Sequence, residues 1–158
     1  MWFPLHIPKH SLVSWMVVLD RLPTADRLCR FGIMVDSVCK LCRAENESRN
    51  HLFFGCSFSQ GIWLMVLRCY GIDRAIIGWE EEISWAIARL RGKSMRMFVL
   101  RLAWNVFMYS IWEERNRRIF CSIERDANAI LSVIQEVIQV QIQKKNYRRD
   151  TVNRVGSL

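Results

Sequence analysis

The sequence predicts an all-α fold: a small helical domain with one irregular insert, followed by a C-terminal helical extension. Apolar residues recur at helical spacing in six separate stretches, and no run alternates at the period of a strand. Between Asp36 and Cys56 that periodicity stops, and short polar turns take its place. A length of 158 residues, about half of them apolar and seven of them Trp, suits one folded core and leaves little room for a second large domain.

Ser11 is placed to cap a first helix through Leu12, Val13, Trp15, Met16 and Leu19, with Pro23 ending it. Thr24 is placed to cap a short second helix that runs through Leu28 to Phe31, and Gly32 suits its left-handed terminus. After the insert, Phe58, Ile62, Trp63 and Val66 share a face up to Gly71. Trp79, Ile83, Ala86, Ile87 and Leu90 do the same up to Gly92. Ser94 then caps a long helix through Phe98, Leu102, Val106, Tyr109 and Trp112 to Arg117. Ser122 opens a last one, whose stripe is Ile130, Val133, Ile134, Val137 and Ile138.

These elements divide into residues 1–71, carrying the insert at 36–58, a helical extension 72–143, and a basic tail 144–158 expected to be disordered. Met95 to Trp112 approaches the length of a membrane span. A central Arg101 costs about 2.5–3.5 kcal/mol in a bilayer, so the stretch reads as a buried helix and no membrane partner is expected.

Lys and Arg total 23 against 15 Asp and Glu, a formal charge of +8, which favours polyanionic partners. The N-terminus lacks a basic start followed by an apolar run, so no export signal is expected. Six cysteines could form three disulfides. Without an export signal, and with Cys39 and Cys42 only two residues apart, metal ligation in a reducing intracellular compartment, nucleus or cytoplasm, is the better reading.

Cys39-x-x-Cys42 is followed by eight residues, then His51, four more residues, and Cys56. A two-residue gap lets one tight turn present two thiolates to one ion, and His51 with Cys56 completes a tetrahedral sulfur and nitrogen set for one structural zinc. Four protein ligands leave no position for an activated water, so the ion is expected to hold structure and not to hydrolyse. Cys29, Cys69 and Cys121 read as packing residues, and His6 and His10 have no partner at ligand spacing.

The motifs IPKHS at 7–11, RLPTADRL at 21–28, CKLC at 39–42, ESRNHLFFGCSFSQGIW at 47–63 and IWEERNRRIF at 111–120 resemble the reverse transcriptase zinc-binding domain of plant non-LTR (LINE-type) retrotransposons. That resemblance implies the same four zinc ligands and an orphan or truncated copy of the element's module. No carboxylate cluster for polymerase or ribonuclease H metals is visible. Glu80, Glu81 and Glu82 read as a solvated helix start, and no nucleophile elbow or Gly-rich phosphate loop occurs, so the chain is expected to be no enzyme.

Two functions fit. One is an accessory module that binds RNA or DNA with salt-dependent, weakly specific contacts, for which Lys40, Arg43, Arg49, Arg115, Arg117 and Arg118 are the candidates; Trp63 and Phe53 suit base stacking too, although core packing is the better reading of each. The other is a protein-interaction module, docking on a reverse transcriptase core or a second copy through the Ile130–Ile138 stripe, although ordinary intramolecular core is the better reading of that stripe. An inert remnant is the third possibility.

Overall fold

A computed structural model describes residues 3–155, with side chains as far as Arg149. Six α-helices lie in that range: α1 (Pro8–Val18), α2 (Ala25–Arg30), α3 (Ser57–Cys69), α4 (Trp79–Arg89), α5 (Met95–Phe120) and α6 (Ala127–Val155). A π-helical turn, His51–Gly55, precedes α3. Among the described residues the extended pairing is one isolated antiparallel bridge, Val38 with Asn46. The all-α fold with an irregular insert is therefore observed.

Helix α5 organises the rest. Its 26 residues span about 39 Å, and α1, α3, α6 and the π-turn all pack on it. Ser94 caps it as expected, its Oγ accepting from the Met97 amide at 3.2 Å. No described helix is long and apolar enough to cross a membrane.

Helix α1 departs from its sequence reading. It starts at Pro8, whose fixed φ and missing N–H suit a first helical position, so Ser11 lies inside the helix and not at its cap. The face turned to α5 carries His10, Ser11, Ser14 and Val17, while Leu12, Trp15 and Leu19 are each nearly half exposed. Small side chains let the two helices approach, and Asn105 Nδ2 donates to Ser11 Oγ at 2.9 Å across the contact. His10 stacks on Tyr109 with ring centroids 4.2 Å apart.

Helix α6 begins later than Ser122, which sits at φ 54° in the connecting loop. Asp126 caps it instead, its Oδ1 accepting from the Ala129 amide at 2.7 Å. Ile130, Ile134 and Ile138 are fully buried against α3 and α5, so the stripe fills this chain's own core and Val133 stays at its edge. The segment from Lys144, expected as a disordered tail, continues α6 to Val155; residues 156–158 lie outside the described range.

One core runs through both expected halves, on either side of the boundary placed near Gly71. Phe54 from the π-turn lies 5.4 Å from Trp104, 5.8 Å from Phe107 and 5.7 Å from Trp79, ring centre to ring centre. Trp63 closes on Phe107 at 4.8 Å. Trp63 and Phe53, weighed as stacking residues, are both fully buried here. Glu82 is buried too, accepting from Trp63 Nε1 at 3.0 Å and pairing with Arg74 at 2.6 Å, so the Glu80–Glu82 run is not solvated throughout.

Candidate metal centre

The segment 36–47 folds as a tight loop closed by backbone hydrogen bonds. The Cys39 amide donates to the Glu45 carbonyl, the Arg43 amide to the Cys39 carbonyl and the Glu47 amide to the Ser37 carbonyl, at 2.7 to 2.9 Å. Arg43 turns through φ 58° just past the second cysteine. This geometry brings Cys39 Sγ and Cys42 Sγ to one side, as a two-residue gap requires.

The other two donors come from the π-turn. Its wider winding lets the Cys56 amide donate to the His51 carbonyl five residues back, at 2.6 Å. It also buries three consecutive residues, Leu52, Phe53 and Phe54, which no helical or strand period would place together. The turn thus fastens two ligands directly to the aromatic core.

Cys39, Cys42, His51 and Cys56 offer one donor atom each, all within 4.8 Å of one another. Bonds of about 2.0–2.3 Å to a tetrahedral zinc separate donors by roughly 3.3–3.8 Å, and Cys42 Sγ already stands 3.3 Å from His51 Nε2. With Nε2 facing the sulfurs, His51 Nδ1 faces the Glu45 carboxylate at 3.6 Å, which orients the ring for ligation. Three thiols and one imidazole suit zinc, and no described fifth group of that kind joins them.

The electrostatics of the sulfurs point the same way. A hydrogen bond from the Cys39 thiol pulls Cys56 down to about 5 against the opposing effect of burial; amides at the start of α3, Ser59 and Phe58, help, as does Cys42. The same bond, with burial, pushes Cys39 up although the Cys42 and Leu41 amides favour its thiolate. The paired sulfurs favour a thiolate at Cys56, the form in which sulfur ligates a dication.

The remaining cysteines and the predicted cations fall elsewhere. Cys29, Cys69 and Cys121 are exposed and not packing residues. Arg115, expected to contact phosphate, is 5% exposed and ion-pairs with Glu47 at 2.7 Å. Glu47 in turn accepts from the Ala25 amide at 2.8 Å, capping α2. Arg118 donates to the Lys40 and Leu41 carbonyls at 3.2 and 3.1 Å and pairs with Glu114 at 2.9 Å. Burial alone would raise Glu114, yet the hydrogen bonds from Arg125 and Arg118 hold its carboxyl below the usual range.

Both arginines therefore clamp the metal loop onto α5, a role the sequence reading missed. The Glu114–Arg118 spacing of four on one helix is the signal that pointed there. Arg49 pairs with Asp20 and lies 4.1 Å over the Trp79 ring. Lys40 pairs with Asp36 and Arg43 with Glu124. Arg117 is half-buried beside Cys121 and Phe120.

Residues 1–63 match the family model for zinc-binding in reverse transcriptase. All four clustered donors fall inside the matched segment, so a match to a zinc-binding family and a Cys3His cluster coincide on one zinc site. No curated protein and no solved structure shows a significant match to the chain.

Proposed function

We propose that this chain is a non-catalytic, zinc-stapled module of reverse transcriptase origin that binds nucleic acid. The observation that carries the reading is the Cys3His cluster inside a segment matching the reverse transcriptase zinc-binding family. Four filled ligand positions support a scaffolding ion, because a hydrolytic zinc keeps one position for water. The charge of +8 supports a polyanionic partner, and the motifs at 7–11, 21–28 and 111–120 support an origin in a plant non-LTR element.

The test is fluorescence anisotropy of labelled RNA and DNA oligonucleotides titrated with zinc-loaded protein, across salt concentrations and after chelation. Binding that weakens with salt and is lost on chelation is expected. No binding at low salt would overturn the nucleic-acid reading.

A further inference from the structure

Most cations around the zinc loop are paired with acids, whereas a group between α4 and α5 is not. Around the zinc loop, Lys40, Arg43, Arg49, Arg115, Arg118 and Arg125 each pair with an acidic side chain. From the end of α4 to the first turn of α5, Arg89, Arg91, Lys93 and Arg96 are all exposed, and none has an ion pair or side-chain hydrogen bond among the described residues. No acidic residue interrupts the sequence from Arg89 to Arg101.

This turn is held in place. Arg101 donates to the Gly92 carbonyl at 3.0 Å and to the Leu90 carbonyl at 3.4 Å. Lys145 of α6 lies 3.7 Å from the centre of the Phe98 ring, which brings Lys144, Arg148 and Arg149 of the same helix to this end of α5. Burial, and then the charge of Arg101, push Lys145 below its usual range. Arg89, Arg91, Lys93 and Arg96 thus add positive charge that no described acid pairs with.

Beside the turn lies an open cleft of about 520 Å³, to which Arg89, Arg96 and Trp85 contribute. Trp85 is half-buried, resting edge-on against Trp63 at 6.3 Å, and Arg74 lies 4.9 Å from its ring. The described acid in the cleft is Asp73, 3.4 Å from Arg68.

We propose that this end of the molecule, and not the zinc loop, is where single-stranded nucleic acid binds: phosphates on Arg89, Arg91, Lys93 and Arg96, and one base against Trp85. The inference rests on the nucleic-acid reading above and gives it a surface. Guanidinium groups match phosphate oxygens two at a time, and an indole in a cleft can reach a base only when that base is unpaired. A membrane surface would use the charge but leave the cleft without purpose. The zinc loop then acts at a distance, holding the far end of α5.

The experiment measures salt-dependent anisotropy of a labelled 20-nucleotide uridine strand, a duplex of equal length and anionic phosphatidylserine vesicles, using the full zinc-loaded chain. Four proteins are compared: wild type, the variant R89Q/R91Q/K93Q/R96Q, the zinc-loop variant K40Q/R43Q, and Trp85→Leu. Zinc content and thermal midpoint confirm that each is folded. The distal variant is expected to bind the strand at least about ten-fold more weakly, with the log–log salt slope reduced by roughly 3, while the zinc-loop variant binds as wild type. Trp85→Leu is expected to cost about five-fold or more on the strand and nothing on the duplex.

If wild type binds the strand and the distal variant binds equally, this surface is wrong and the nucleic-acid reading stands. If wild type binds no nucleic acid at low salt, both fall. Preference for vesicles over the strand, or Trp85→Leu binding like wild type, would also overturn the assignment.

Discussion

The two ends of α5 use the same residue type for opposite purposes. At its C-terminal end Arg115 and Arg118 are buried, paired with Glu47 and Glu114, and hydrogen-bonded to loop carbonyls. About 30 Å away along the axis, Arg96 is exposed and unpaired, with Arg89 closing α4 and Arg91 and Lys93 in the connection before it. A guanidinium next to an irregular loop is a clamp, because the loop presents carbonyls that no helix ladder satisfies. At the other end Arg101 already donates to the carbonyls of the connecting loop, so the exposed cations beside it stay available to a partner. Net charge alone does not distinguish the two.

The largest effect expected belongs to the zinc end. Chelation, or Cys39→Ser, removes an ion whose binding contributes about 10–16 kcal/mol of apparent folding free energy. Because Leu52, Phe53 and Phe54 sit in the shared core, the loss should spread beyond the loop. Near-ultraviolet circular dichroism should lose its tryptophan bands; retention of those bands would show that the core stands without the metal.

Next comes Glu47→Ala, which strands the buried Arg115 charge and uncaps α2, at a cost of about 3–5 kcal/mol. Urea denaturation measures it. Adding Arg115→Met should recover part of the loss, since the second change removes the unpaired charge; a purely additive pair would remove the clamp argument.

Between the ends, His10 is buried against Tyr109. Burial first, then the neighbouring Lys9, lower it from 6.5 to about 4, while Glu113 opposes. The unfolded chain binds the extra proton between pH 6.5 and about 4, so stability falls as pH drops through that window, by up to about 3 kcal/mol. Comparing wild type with His10→Phe across pH 7 to 4.5 isolates this contribution, because zinc release affects both proteins. Equal pH dependence would show that His10 is not held neutral.

At the basic end the stability effects should be small. Ser94→Ala removes the cap of α5 and should cost about 1 kcal/mol. Neutralising any one of Arg89, Arg91, Lys93 or Arg96 should change stability by no more than about 0.5 kcal/mol, or raise it slightly by relieving like-charge repulsion. A loss of several kcal/mol there would mean that these cations are clamps as well, and the contrast between the ends would disappear.

The helices and the zinc ligands were legible because each rests on local chemistry. Spacing at a period near 3.6 marks α3 to α6, and Cys39, Cys42, His51 and Cys56 announce themselves by residue type and interval. Helix α1 was misread because its buried face is Ser11, Ser14 and His10, small and polar residues whose value lies in close approach to α5. Glu82 was misread among three consecutive glutamates, because its partners, Trp63 and Arg74, lie on other elements. Cys29, Cys69 and Cys121 suggested packing by residue type alone, yet lie exposed.

By itself, then, the sequence determined an all-α chain, the four metal ligands and the excess of positive charge, since composition and short-range spacing fix these. Tertiary structure decided which arginines are free. That choice depends on acids and carbonyls tens of residues away in sequence, and a side chain's pairing is settled only when the fold brings them within reach.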